Sequence, residues 1–262
     1  MTKQKVQLAS YLRHKQLVSS TSQAESYIKL GAVYVDSKQI INPKYYVNPN
    51  SNIELKLQTK YVSRAGFKLA SVVDVFGISF KDKIVLDVGS STGGFTDYAL
   101  QNGAKKVIAV ELGTKQLHPR LYGNSKIELY EQTDIRDVAL KPINNSNITD
   151  NNVVYIAKSP DIIVIDVSFI SLRQILPHID KYIAGPKTQI LAMVKPQFEA
   201  MSTDKNKGII KNEAIRRNIL KDFELWAKKY FVIINKADSQ IFGTKGNQER
   251  FYLLKKLAYI IY

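Results

Sequence analysis

Apolar residues in this chain gather into short continuous runs separated by segments of helical spacing, and that alternation sets the expected fold. Ile84-Val-Leu86 with Val88, Val107-Ile-Ala-Val110, Ile127-Glu-Leu-Tyr130, Ile162-Ile-Val-Ile165 and Gln189-Ile-Leu-Ala-Met-Val194 read as strands. Most have no polar face to turn toward water, which marks strands covered by helices on both sides. We therefore expect an α/β domain built on a doubly wound, mostly parallel sheet. Residues 231 to 236 and 251 to 260 complete the sheet, with a place for an antiparallel strand at its edge.

The first sixty residues follow a different rhythm. Val6, Leu8, Leu12 and Leu17 outline one short amphipathic helix. Ser22 starts a second, through Ala24, Tyr27, Ile28 and Leu30, stopped by Gly31. Ala32 to Asp36 is a hairpin strand, Lys38 follows its turn, and Ile53 to Leu57 is a closing strand. This is a small α+β module, too small to house an active site easily. Thr59 to Leu69 joins it to the larger domain, with Ser63 as a helix N-cap and Leu69, Val72, Val73 and Val75 facing the sheet. Residues 141 to 160, rich in Asn with Ser and Thr, read as a polar loop.

Composition narrows the partners. The 38 Lys and Arg against 23 Asp and Glu leave a formal charge of +15, which attracts nucleic acid or an anionic membrane surface. With no cysteine and only His14, His118 and His178 as imidazoles, no metal centre is expected. Met1 to Lys15 lacks the apolar core of a signal peptide, and no run approaches the ~18 apolar residues that span a bilayer. A cytoplasmic protein without stable membrane insertion is the expectation.

Candidate chemistry lies where strands end, since ligands of such sheets sit across the carboxyl ends. The first strand runs into Gly89-Ser-Ser-Thr-Gly93-Gly94, a turn whose glycines let the backbone approach a ligand closely. Dinucleotide turns read Gly-x-Gly-x-x-Gly; the wider spacing here, after Asp87, favours a ligand without a pyrophosphate. The sulfonium and amino-acid group of S-adenosylmethionine suit a site containing acids, and Glu111 can accept from both hydroxyls of its ribose. Asp134 either meets the adenine amino group or caps the next turn. A second constellation is Lys68, Asp166, Lys195 and Glu249: Lys195 follows a buried strand in Met193-Val-Lys-Pro-Gln-Phe-Glu199, and Glu249 closes the glycine-rich turn Gly243-Thr-Lys-Gly-Asn-Gln-Glu249.

Five phrases in order carry a resemblance: Tyr61-Val-Ser-Arg-Ala-Gly-Phe-Lys68, Leu86-Asp-Val-Gly-Ser-Ser-Thr-Gly-Gly-Phe-Thr96, Asp166-Val-Ser-Phe-Ile-Ser-Leu172, Val194-Lys-Pro-Gln-Phe-Glu199 and Gly246-Asn-Gln-Glu249. Together they resemble the TlyA family of S-adenosylmethionine-dependent rRNA methyltransferases, historically called hemolysins, whose Rossmann-like catalytic domain is of the FtsJ type. Ser22 to Val35, with Ala24, Ile28, Gly31 and Val33-Tyr-Val35, resembles the S-four RNA-binding fold, although Gln7-Leu-Ala9 and Ser22-Gln23 stand where that fold carries arginines. RNA contact by this module would then rest on Lys15, Lys29, Lys38 and Lys44.

The resemblance implies an RNA-binding domain at 1–58, a linker at 59–66 and a methyltransferase domain at 67–262. It further implies that Lys68, Asp166, Lys195 and Glu249 act on a ribose 2'-hydroxyl. The cofactor would meet Asp87, Gly89, Ser91, Gly93, Gly94, Phe95, Thr96, Glu111, Asp134, Ile135 and Asp166. Its substrate would be ribosomal RNA in a ribosomal subunit rather than DNA, and the enzyme a monomer. Against this stand a membrane-active cytolysin, a non-catalytic ribosome-assembly factor and an NAD-dependent oxidoreductase, the last disfavoured by the glycine spacing.

Overall fold

The computed structural model of the chain describes residues 5–18, 20–29, 31–56, 60–142, 153–200, 208–210, 212–243 and 246–257. They cluster into two compact units, Met1–Arg64 and Ala65–Tyr262.

In the first unit, β1 (Val6–Gln7) runs directly into α1 (Leu8–His14), followed by α2 (Thr21–Lys29), β2 (Val33–Val35), β3 (Lys38–Ile40), β4 (Tyr46–Val47) and β5 (Ile53–Leu55). β2 lies between β3 and β5 in an antiparallel sheet, and β1 pairs with β4. Val6, expected in the helix, is therefore in a strand. Its partner Val47 lies forty-one positions away, beyond the reach of local spacing. Leu17 falls past the end of α1 and is exposed. The β2–β3 hairpin turns through Asp36 (φ 49°) and Ser37 (φ 66°), two consecutive positive φ values of the kind tight hairpins use. Leu8, Leu12, Ala24, Ile28 and Val33 form a fully buried core. Leu30 and Leu57, placed by the sequence in the second helix and the closing strand, lie outside the described residues.

The second unit holds the sheet. In chain order come α3 (Arg64–Phe76), β6 (Ile84–Val88), α4 (Gly94–Gln101), β7 (Lys106–Val110), β8 (Ile127–Tyr130), β9 (Val138–Leu140), β10 (Val154–Ile156) and β11 (Ile162–Ile165). These are followed by α5 (Leu176–Tyr182), β12 (Gln189–Val194), α6 (Pro196–Glu199), α7 (Glu213–Ala227), β13 (Phe231–Asp238) and β14 (Arg250–Lys256). Seven strands form one sheet in the order β13-β14-β12-β11-β6-β7-β8. The five from β12 to β8 are parallel, so the mostly parallel, doubly wound sheet read from the apolar runs is present. The chain moves outward from β6 through β7 to β8, then crosses to β11 on the other side. A crevice opens at such a reversal, outside the carboxyl ends of β6 and β11.

Two expectations need correction. The reversed strand is not at the edge: β14 runs antiparallel to both β12 and β13, and β13 forms the edge. Burial explains the order, because Phe251, Tyr252, Leu253 and Leu254 are all buried, whereas most of β13 is exposed or half-buried. The polar stretch 141 to 160 is not all loop either. Val154–Ile156 pairs in parallel with Val138–Leu140, and Val138 and Ile156 are buried in the core; residues 143–152 lie outside the described residues. On α3, Leu69, Val72 and Val73 are buried as expected, but Val75 is 60% exposed.

The β13–β14 hairpin is locked by charge at the end where its connecting loop leaves. Asp238 accepts from Arg250 Nε (2.6 Å) and Nη2 (2.9 Å) and from Arg216 Nη2 (2.5 Å), while Arg216 Nε donates to the Gln248 carbonyl (3.3 Å). Burial opposes ionisation of Asp238, yet the two guanidiniums hold its carboxyl below the usual range. Arg216 is itself only 5% exposed. Removing it in Arg216→Ala should cost about 2 kcal/mol, the scale of lost charge-assisted hydrogen bonds, measured by chemical denaturation.

Candidate active site

β6 carries Asp87 near its end and delivers the chain to Gly89 (φ 77°), a conformation that side chains disfavour. Space reinforces the requirement: a Cβ on Gly89 would lie 3.0 Å from the Asp166 carbonyl oxygen and 3.1 Å from Val167 Cγ1. The glycine thus lets the turn after β6 press against the chain leaving β11. Ser91 follows at φ 47°, and its N–H donates to Glu111 Oε2 (2.8 Å). Glu111, just past β7, also accepts from the Gly113 N–H through Oε1 (2.7 Å). One acid on the wall of the crevice therefore ties two strand ends together.

That crevice is a cleft of about 640 Å³, within the size range of small-molecule sites. Gly89, Ser91, Glu111, Asp134, Ile135 and Asp166 of the residues expected at the cofactor line it. The others sit behind the turn. Gly93 (φ 85°) and Gly94 begin α4, and Phe95 is buried against Phe251, with ring centroids 6.0 Å apart. Thr96 is fully buried and donates to Asp87 Oδ2 (2.6 Å). Asp87 is 1% exposed, and its Oδ1, like Ser90 Oγ, has no hydrogen-bond partner among the described residues. Burial, with a contribution from the charges of Asp166 and Glu111, pushes the Asp87 carboxyl up to about 7 despite the Thr96 hydrogen bond. Both alternatives for Asp134 have a physical basis: it faces the cleft, and its Oδ1 accepts from the Arg136 N–H (2.9 Å), capping the turn Ile135–Asp137.

The four residues of the second constellation form two ion pairs. Lys68, from the buried face of α3, lies 3.0 Å from Glu249 Oε1, just ahead of β14. Lys195, just past β12, lies 2.6 Å from Asp166 Oδ1 and donates to Ser168 Oγ at 2.8 Å. The pairs sense each other: burial pushes the Glu249 carboxyl up, Lys68 and Lys195 oppose this, and Asp166 adds to it. Glu249 Oε2 is buried and has no partner among the described residues. Glycine matters here too, since a Cβ on Gly243 would stand 2.6 Å from Glu249 Oε1. Thr244 and Lys245 of that turn lie outside the described residues.

Sequence reasoning passed over several side chains of the cleft. Gln116 reaches both Glu111 Oε1 (3.4 Å) and Ser91 Oγ (3.2 Å). Arg136 grips Asp134 through Nε (2.9 Å) and Nη2 (2.7 Å). Phe169 is 91% exposed on the rim at φ 68°, an unusual backbone for an aromatic residue and an exposure that burial alone would not select. Its only sequence signal is its place between two residues of a strand-end phrase.

A doubly wound sheet with an acid-lined cleft at its reversal point, where Asp166 of the cleft wall pairs with Lys195 while the Lys68–Glu249 pair is buried and does not line the cleft, is the architecture of a nucleotide-cofactor group-transfer enzyme. Comparison with known proteins makes this specific: residues 61–256 match the model of the FtsJ-like methyltransferases, and the chain belongs to that family. Hemolysin A of Brachyspira hyodysenteriae is 37% identical over 246 residues, covering 93% of this chain and 97% of that protein. The 23S rRNA (cytidine-2'-O)-methyltransferase TlyA of Campylobacter jejuni is 37% identical over 195 residues, 73% of this chain and 70% of the relative. A solved structure of a hemolysin-named protein from Streptococcus thermophilus superimposes with a TM-score of 0.71 at 32% identity, over 97% of this chain and 89% of that one. S-adenosylmethionine is accordingly the cofactor, and the donor set fits it. The carboxylates of Glu111 and Asp134 suit hydroxyl and amino donors, and the orphaned Asp87 Oδ1 lies behind the same turn.

Asp87 offers a test of this electrostatics. Its folded-state pKa is raised, so its contribution to stability is fully present below about pH 4 and is lost as pH rises toward about 7. Asp87→Asn keeps the Thr96 hydrogen bond without the charge. The variant should melt above wild type at pH 8, with the gap closing at pH 5, as followed by thermal unfolding.

Proposed function

We propose that this chain methylates a ribose 2'-hydroxyl of ribosomal RNA. The observation that carries the reading is the Lys195–Asp166 pair at the cleft rim, backed electrostatically by Lys68 and Glu249. When bound, S-adenosylmethionine supplies a methyl group activated by its sulfonium. Glu111 is suited to hold the cofactor ribose, and Asp134 and Ile135 its base. Gly89 and Ser91 line the turn, with Asp87 behind them. A ribose hydroxyl is a poor nucleophile that sheds its proton as it attacks, so a group must fix the oxygen and receive the proton. Lys195 is held by two partners at a defined point, so it can orient the hydroxyl; as the neutral amine it takes the proton that the hydroxyl sheds, and becomes the ammonium of the ion pair. Asp166 and Ser168 fix the ammonium, and Glu249 does the same for Lys68. Phe169, exposed on the rim, offers a face on which an unpaired base can stack.

The N-terminal unit serves in this proposal as the RNA-guiding domain, residues 59–66 connecting it to the catalytic domain. Lys15, Lys38 and Lys44 are exposed on it and Lys29 is half-buried. Lys56 stands 4.4 Å over the Tyr34 ring, and Tyr45 and Tyr46 are exposed. Cations interleaved with aromatic rings suit a nucleic-acid strand. The enzyme acts as a monomer in the cytoplasm, where ribosomal subunits are found. Among the described residues no helix is long and apolar enough to cross a membrane. The cytolytic alternative gives the acid-lined cleft and the paired lysines no work.

Two measurements test this. Purified protein with methyl-labelled S-adenosylmethionine and ribosomal subunits should transfer label to RNA, leaving one ribose resistant to alkaline cleavage. Lys195→Ala should lower that rate by 100-fold or more, in the range of lost proton-transfer catalysis of about 10²–10⁴; unchanged transfer would show the assignment to be wrong. Phe169→Ala should weaken RNA use by about 10-fold or more, the scale of one base–aromatic stack, with cofactor affinity by calorimetry unchanged.

A further inference from the structure

Beyond the residues that face the cleft, one buried carboxylate joins the two loops that carry the reacting groups. Glu199 ends α6, the short helix that starts at Pro196 immediately after Lys195. Its side chain is 1% exposed. Oε2 accepts from Ser171 Oγ (2.6 Å), and Oε1 accepts from the Leu172 N–H (2.7 Å). Both donors belong to the loop leaving β11, which also carries Asp166, Ser168 and Phe169. The same two loops meet at Lys195 with Asp166 and Ser168, and again where the Phe169 and Phe198 rings approach to 5.3 Å.

We infer that Glu199 is a positioning residue for methyl transfer, one that fixes the Asp166–Phe169 loop against the Lys195 turn without touching cofactor or RNA. The inference rests on the proposed function. Phe169 sits at φ 68° and is almost fully exposed, so backbone preference works against the loop's position and the ring, beyond its approach to Phe198, buries little surface to hold it there. Lys195 and Asp166 are joined through flexible side chains, which leave a lysine free to follow a drifting carboxylate. The Glu199 clamp reaches a backbone N–H and a short hydroxyl, so it sets the position of the loop itself. Pro196, with its restricted φ, opens the helix directly after its N-cap Lys195 and limits the freedom of the short stretch between Lys195 and Glu199. Arg173, 3.4 Å from Glu199 and 2.6 Å from Asp222, extends the clamp to α7.

Misplacement of a reacting group by about 1 Å can cost 10²-fold in rate, so loss of the clamp should appear in turnover rather than in cofactor binding. In Glu199→Ala, kcat for rRNA methylation should fall by about 10–100-fold, with the Kd for S-adenosylmethionine within two-fold of wild type. Glu199→Gln should recover most of the rate, because its amide oxygen accepts from Leu172 N–H and its NH₂ donates to Ser171 Oγ. Ser171→Ala keeps the fold at risk least, and in a double-mutant cycle with Glu199→Ala its effect should be smaller than in wild type. Hydrogen exchange of the peptide spanning 166–173 should rise in Glu199→Ala while the core strands keep their protection. Wild-type transfer with unaltered kcat in Glu199→Ala, or no rescue by Gln, overturns the inference. Wild type that methylates no RNA overturns the reading beneath it, and the exchange measurement distinguishes the two by reporting the clamp without turnover.

Discussion

A lysine ammonium taken out of water must find a carboxylate, and the catalytic half of this molecule is arranged around two such demands. Lys68 lies on the buried face of α3, only 8% exposed, with Glu249 as its partner. Removing one member of a buried pair leaves the other uncompensated, at a cost of about 3–5 kcal/mol. The pair therefore binds α3 to the turn that enters β14, across 181 positions of chain. Lys195 and Asp166 do the same for the ends of β12 and β11. Neither pair is an efficient way to stabilise a fold, since well-packed apolar side chains do as well or better. Asp166 and Lys195 follow the carboxyl ends of β11 and β12, where the ligand crevice of such a sheet lies.

Around these pairs, a supporting layer removes slack. Gly243 leaves the space that the Glu249 carboxylate occupies, and Asn247, buried, donates to the Gly208 carbonyl and accepts from the Ile210 N–H. Arg216 holds the Gln248 carbonyl from α7, and Arg250 shares Asp238 with it. Glu199 supports the other side. α7 reaches both, through Arg216 at its first turns and through Asp222 near its end. A site assembled from four distant segments needs such cross-braces, because each ion pair alone fixes two side-chain tips and not the backbones behind them.

The cleft divides its labour by burial. Glu111 and Asp134 are half-buried and already engaged by backbone N–H groups, so they present partly satisfied carboxylates to a ligand. Asp87 lies deeper, its carboxyl is pushed up to about 7 chiefly by burial, and among the described residues one of its oxygens has no hydrogen-bond partner. Carboxylates on the cleft wall, with a more deeply buried acid behind the turn, suit a ligand that joins a cation to neutral hydroxyl and amino donors.

Much of this was legible in the sequence, for a physical reason. Strands buried on both faces are built almost wholly of apolar residues, so Ile162–Ile165 and Gln189–Val194 announce themselves, and a strand followed by a glycine turn marks a crevice. Asp166 and Lys195 stood out because each is a charged residue immediately after a continuous apolar strand, whereas Lys68 and Glu249 were legible only through the phrases that carry the resemblance. Local spacing could not place Val6 in a strand or set β14 inside β13, since both depend on partners far along the chain. Nor could it tell that Asp87 and Thr96 lie behind the turn while Ser91 lies on the cleft, or that Phe169 stands exposed at positive φ. Residue type and periodicity determine which segments must be buried and which chemistry is present. Only the packed structure decides which of those groups share a boundary with the cleft, because that depends on distances between segments the sequence does not bring together.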